Sequence, residues 1–108
     1  MALSKDEVIK LANRFLESVR LRHDVRAAYL FGSFAQGTEQ DYSDVDLAIV
    51  LGSLEASPES PFDETFEIFH EAQKYNSILE VVCFAQKEFD GDGGALARQI
   101  KKDGLKLI

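Results

Sequence analysis

LFGSFAQGTEQDYSDVDLAIV, residues Leu30–Val50, sets a glycine-rich turn after one apolar run and two aspartates at the head of the next. Strand side chains alternate between two faces, so Val45, Leu47 and Ile49 share one face of the run Asp44–Leu51. Asp44 and Asp46 share the other, about 7 Å apart at their Cα atoms. Two like charges on one side of an apolar strand repel unless something positive lies between them. The preceding run, VRAAYLF (Val25–Phe31), reads as a buried strand ending at Gly32. Ser33 and Gln36 then form a Ser-x-x-Gln capping pattern that starts a short helix, which Gly37 ends. Without a Cβ, Gly32 lets a ligand come close to the backbone. The N–H groups of the following helix start favour an anion, and the Ser33 hydroxyl can bond a phosphate oxygen. Taken alone, Gly32-Ser33 is better read as a plain N-cap.

Around this stretch the chain alternates helices and strands. Val8, Leu11, Ala12, Phe15, Leu16 and Val19 form one helical stripe, with Ser4 and Glu7 as a capping box and Leu3 and Val8 as its hydrophobic staple. The polar segment Arg22, His23, Asp24 ends that helix. GSLEASPESP, residues 52–61, is a loop, and Ser60, Pro61 and Asp63 mark the next helix start. That helix is expected to turn Phe62, Phe66, Phe69 and Ala72 inward and to stop near Tyr75 and Asn76. Ile78–Phe84 (ILEVVCF) is a third strand. GDGG, residues 91–94, opens a last helix carrying Leu96, Ala97 and Ile100, with Gly104 as its stop and LKLI as a short closing strand. The fold class is α/β (α+β): a small mixed sheet covered by helices, in one domain spanning residues 1–108.

Composition bounds the function. The 108 residues are 45% hydrophobic and 29% charged, which suits a folded domain with one modest core. A net charge of −7 argues against direct nucleic-acid binding, and a template-directed polymerase would need basic segments that are absent. The single cysteine, Cys83, excludes an internal disulfide and suits a reducing compartment. No apolar run reaches membrane length, and the N-terminus is charged and amphipathic. A soluble cytoplasmic protein is expected.

Asp44 and Asp46 offer hard oxygen ligands of the kind Mg²⁺ takes alongside substrate phosphates. Glu80 is the only charge within ILEVVCF. A buried unpaired carboxylate is costly, so Glu80 is either exposed at an edge beside a lysine or joined to a metal cluster with Asp44 and Asp46. His23 reads as a loop residue and His70 as a helix-surface residue, and the two lack zinc-ligand spacing. Cys83 reads as core, and Lys87, Arg98 and Lys101 as solvated charges. The Phe-rich helix is most simply core; aromatic rings on its outer side would point to a protein partner.

Gly32-Ser33, ten further residues and Asp44-Val45-Asp46 resemble the GS-x10-DxD signature of the DNA polymerase β-like nucleotidyltransferase superfamily, and the short chain resembles its minimal nucleotidyltransferases. The resemblance runs from the leading helix to the ending helix. It implies a polymerase β-like fold, a nucleoside triphosphate substrate such as ATP, and Mg²⁺. It assigns metal binding to Asp44 and Asp46 and phosphate contact to Gly32 and Ser33. Its third carboxylate is commonly aspartate; here the candidate is Glu80. The implied reaction moves a nucleoside monophosphate, AMP from ATP, to an acceptor hydroxyl and releases pyrophosphate. Small members of this kind often pair with a helical HEPN protein as the antitoxin of a toxin–antitoxin module, and adenylylation of that partner is the implied role. The alternative is a catalytically degenerate module that binds nucleotide or neutralises its partner by contact. With little room for an acceptor pocket, such a chain is expected to borrow one from a partner or from a second copy of itself.

Overall fold

The computed structural model of the chain describes residues 4–32, 44–52, 63–91 and 94–108. The elements follow as α1 (Lys5–Arg20), β1 (Val25–Phe31), β2 (Val45–Leu51), α2 (Asp63–Tyr75), β3 (Leu79–Ala85), α3 (Gln86–Asp90), α4 (Gly94–Asp103) and β4 (Leu105–Lys106). The short helix expected after Ser33 and the proline-led start of α2 fall outside the described residues. Helix α1 begins with the capping box read from the sequence: the Ser4 hydroxyl accepts from the Glu7 N–H, and the Glu7 carboxylate accepts from the Ser4 N–H.

Four strands form one sheet in the order β3-β2-β1-β4. β1 pairs antiparallel with β2 and with β4, while β2 and β3 run parallel, joined through α2. The sheet is therefore mixed, as expected. β2 is central, and every one of its residues is buried except Asp46. An almost unbroken apolar run is what a strand covered on both faces requires.

The covering layers differ. Val8, Phe15, Leu16 and Val19 of α1, with Ile68 and Ala72 of α2, pack on the face of Leu30, Leu47, Ile49 and Val81. Phe89 of α3, with Ala97 and Ile100 of α4, packs on the opposite face against Ala48 and Val50. Helix α3 was not expected. It has one buried residue, Phe89, and no side-chain N-cap, so its sequence carries neither stripe nor start signal.

Two expectations for the helices are corrected. Ala72 faces inward as read, but Phe66 and Phe69 do not: they are 62% and 40% exposed, while Ile68 is fully buried. The inward stripe of α2 is offset by one position from the phenylalanines, about 100° round the helix. Leu96 of α4 is also exposed, leaving Ala97 and Ile100 as that helix's buried positions. Among the described residues, no helix is long and apolar enough to cross a membrane.

Candidate functional site

β1 ends and β2 and β3 begin at the same end of the sheet, and their register sets Phe31, Asp46 and Glu80 side by side. Paired positions on neighbouring strands point to the same face, about 5 Å apart. The face is that of α3 and α4, and the row lies beyond Ala48 and Val50, the β2 residues that those helices bury. Phe31 and Asp46 are half-buried and Glu80 is exposed. Glu80 lies on the edge strand β3 and is exposed, as the edge reading expects, with its carboxyl next to that of Asp46.

The pairing changes the protonation of Asp46. Burial, a hydrogen bond that protonated Asp46 donates to Glu80, and the negative charges of Glu80 and Asp44 raise its carboxyl from the ordinary 3.8 to about 6. Asp46 thus holds its proton well above the normal carboxylate range. Asp44 sits one residue ahead of β2 and is exposed; its charge reaches Asp46. A cation would relieve this repulsion, and carboxylate oxygens are the hard donors that a magnesium-like ion prefers; the donor atoms of Asp44, Asp46 and Glu80 do not all lie within 4.8 Å of one another.

Gly32 stands against the same carboxylate. Its φ is +75°, a region that side-chain-bearing residues rarely adopt. A Cβ at this position would overlap Asp46 Oδ2 and lie 3.1 Å from Asp46 Cγ. The glycine of the GSFAQG turn and the second aspartate of the DVD motif therefore meet in space. The sequence offered close ligand approach as the reason for glycine; contact with Asp46 is a reason that it did not reveal. Ser33 lies outside the described residues.

Of the weaker candidates, Lys101 extends over the Phe89 ring, 4.9 Å from its centroid, with its Nζ 3.4 Å from the Gly91 carbonyl. Cys83 is half-buried against the α1–α2 side of the core. His23 is in a loop as expected, but its side chain is only 6% exposed. Among the described residues, the trio of potential metal ligands whose donor atoms all lie within 4.8 Å of one another is His23, Glu67 and Glu71, away from Asp46 and Glu80. Its sequence trace is a glutamate pair at i, i+4 on α2; nothing local connects it to His23.

Residues 13–108 match the family model described as "Polymerase beta, Nucleotidyltransferase". No curated protein matches the chain significantly. Among solved structures, the chain is similar to a candidate nucleotidyltransferase of Sulfolobus solfataricus, with 20% identity, 94% of this chain and 80% of that one covered, and a TM-score of 0.61. It is also similar to a chain of a toxin–antitoxin structure with AMP-PNP, with 20% identity, coverage of 98% and 73%, and a TM-score of 0.60. A mutant toxin–antitoxin structure, MntA–HpeT, gives 19% identity, coverage of 98% and 73%, and a TM-score of 0.56. At these identities the likeness is one of fold.

Proposed function

The chain belongs to the polymerase beta nucleotidyltransferase family, and on that premise we propose that it transfers AMP from ATP to an acceptor hydroxyl and releases pyrophosphate. The observation that carries this reading is the placement of Asp46 and Glu80 side by side in the sheet register, with Asp46 set against the positive-φ Gly32. Asp44, Asp46 and Glu80 would hold Mg²⁺. When bound, the ion supplies positive charge to the triphosphate oxygens and to the leaving pyrophosphate. Gly32 and Ser33 would receive the phosphates through backbone N–H groups and the Ser33 hydroxyl.

The chain's residues then have three tasks. The turn orients the α-phosphorus toward the carboxyl row. Glu80, beside Asp46 and open to solvent, accepts the proton of the acceptor hydroxyl as its oxygen bonds to phosphorus. The bond from the α-phosphorus to the bridging oxygen breaks, and pyrophosphate departs. One row in, Ala48 and Val50 close the sheet face with apolar side chains, so the reacting groups sit at its rim.

The similarity to toxin–antitoxin structures, one with AMP-PNP, supports a partner protein and an adenine nucleotide. A small helical HEPN-type toxin is the proposed acceptor, in the cytoplasm, with this chain as a single minimal domain. The exposed Phe66, Phe69 and Tyr75 of α2 favour a protein partner and keep the second reading, a neutralising module without catalysis, in play. Incubation with ATP labelled at the α-phosphate, Mg²⁺ and the partner separates the two: the enzyme moves label onto the partner, whereas the binder forms a complex without label transfer.

A further inference from the structure

We propose that His23, Glu67 and Glu71 form a binding site for a zinc-class divalent ion at the end of the sheet opposite the Asp46–Glu80 pair. β1 starts two residues after His23, and its last residue, Phe31, pairs with Asp46. Six residues of strand separate the two ends, about 20 Å. The trio is therefore distinct from the carboxyl row.

Both backbone and side chain fix His23. Its N–H donates to the Val19 carbonyl at 2.8 Å, and its carbonyl accepts from the Val25 N–H at 3.0 Å. The turn between α1 and β1 thus holds the imidazole in place, with its side chain 6% exposed and its Nε2 3.7 Å from Glu71 Oε2. That distance is too long for a hydrogen bond. Glu71 Oε2 is shut off from water and makes no hydrogen bond, although its carboxylate is 16% exposed as a whole. The other oxygen, Oε1, takes a 2.9 Å ion pair from Arg22 Nη1, which orients the carboxylate and leaves Oε2 facing the imidazole. Glu67 stands one turn earlier on the same helix face as Glu71. It is exposed, so its carboxylate can swing in without disturbing the core.

Donor chemistry and spacing choose the ion. One imidazole nitrogen and two carboxylate oxygens suit Zn²⁺ and its neighbours, whereas Mg²⁺ and Ca²⁺ favour oxygen-only shells. In a tetrahedral zinc site, ligand atoms about 2.1 Å from the metal lie about 3.4 Å from one another. The His23–Glu71 separation of 3.7 Å is already near that value. The widest separation within the trio stays under 4.8 Å, and the exposed Glu67 has the freedom to close it. Three protein ligands leave a fourth position. Water or a small ligand would complete the shell there. Glu67 and Glu71 also line a groove of about 610 Å³ between α1 and α2, together with Phe15, Arg22, His70 and Tyr75 among others. A bound ion would also tie the turn after α1 to the middle of α2.

The test uses the full chain carrying Asp44→Asn and Asp46→Asn, which removes two carboxylates of the other cluster. After chelator treatment, Zn²⁺ is titrated against a chromophoric chelator in excess Mg²⁺, and Co²⁺ serves as a visible-absorption probe of geometry. The expected result is one Zn²⁺ per chain, a tetrahedral Co²⁺ spectrum and a Zn²⁺-dependent rise in Tm. Adding Glu67→Gln should weaken binding about tenfold or more and remove the Tm rise, while the metal-free Tm stays unchanged because the residue is exposed. Absence of stoichiometric binding, or binding that Glu67→Gln leaves intact, overturns the site and makes Arg22–Glu71–His23 a purely structural contact.

Discussion

Replacing Asp46 by asparagine should abolish nucleotidyl transfer and at the same time stabilise the metal-free protein at neutral pH. A carboxyl raised from 3.8 to about 6 is harder to ionise in the folded chain than in the unfolded one. At about 1.4 kcal/mol per pH unit the ceiling is about 3 kcal/mol. Asp46 is only half-buried, and solvent screening reduces the expected penalty to about 1 kcal/mol. Because the folded pKa lies above the unfolded one, this contribution is fully present below about pH 4 and is lost as pH rises through about 6. Metal-free wild type should therefore lose about 1 kcal/mol relative to Asp46→Asn between pH 4 and pH 7.5. Asparagine can still bond to Glu80 and carries no charge at any pH. Urea denaturation of both proteins in chelator across that range measures the difference, with ATP turnover assayed on the same samples. A variant less stable than wild type at pH 7.5, or a pH-independent gap, would refute the raised proton affinity of Asp46.

Other substitutions probe neighbouring parts of the account. Glu80→Gln should lower the transfer rate far more than it weakens ATP binding, as single-turnover kinetics beside equilibrium titration would reveal. Gly32→Ala should cost at least about 1 kcal/mol, because it combines positive φ with overlap on Asp46; part of that loss should return in an Asp46→Ala background, as a double-mutant cycle in urea would register. Ile68→Ala should cost about 2–4 kcal/mol and Phe66→Ala under about 0.5 kcal/mol, a contrast in chemical denaturation that reverses if the helix face is misassigned. Ser4→Ala should cost about 1 kcal/mol through loss of the cap on α1, readable in the same way.

Local signals were legible where one segment carried them. The bounds of β1 and the Ser4–Glu7 cap follow from residues adjacent in the chain, as does the apolar run of β2 with Asp46 at its head. The meeting of Asp46 with Glu80 depends on a parallel register set by the crossover through α2, which no short motif encodes. Alternation placed Asp46 on a face, but not beside a particular partner. The α2 phenylalanines mislead because a large apolar ring is no guarantee of burial: Ile68 and Ala72 are the α2 residues that join the core, while Phe66 and Phe69 stay exposed. His23 looked like an ordinary loop residue because its burial comes from α2, more than forty residues further on. The short α3 left no trace, since one buried aromatic side chain makes no periodicity.

The most direct measurement of the central claim follows α-phosphate-labelled ATP in the presence of Mg²⁺, the purified chain and its helical partner, with pyrophosphate counted alongside. The account predicts label on an acceptor, one pyrophosphate released per label transferred, and loss of both in the Asp46→Asn protein, which nonetheless remains folded. Label transfer that persists undiminished in Asp46→Asn, or a stable partner complex with neither label nor pyrophosphate, would contradict it.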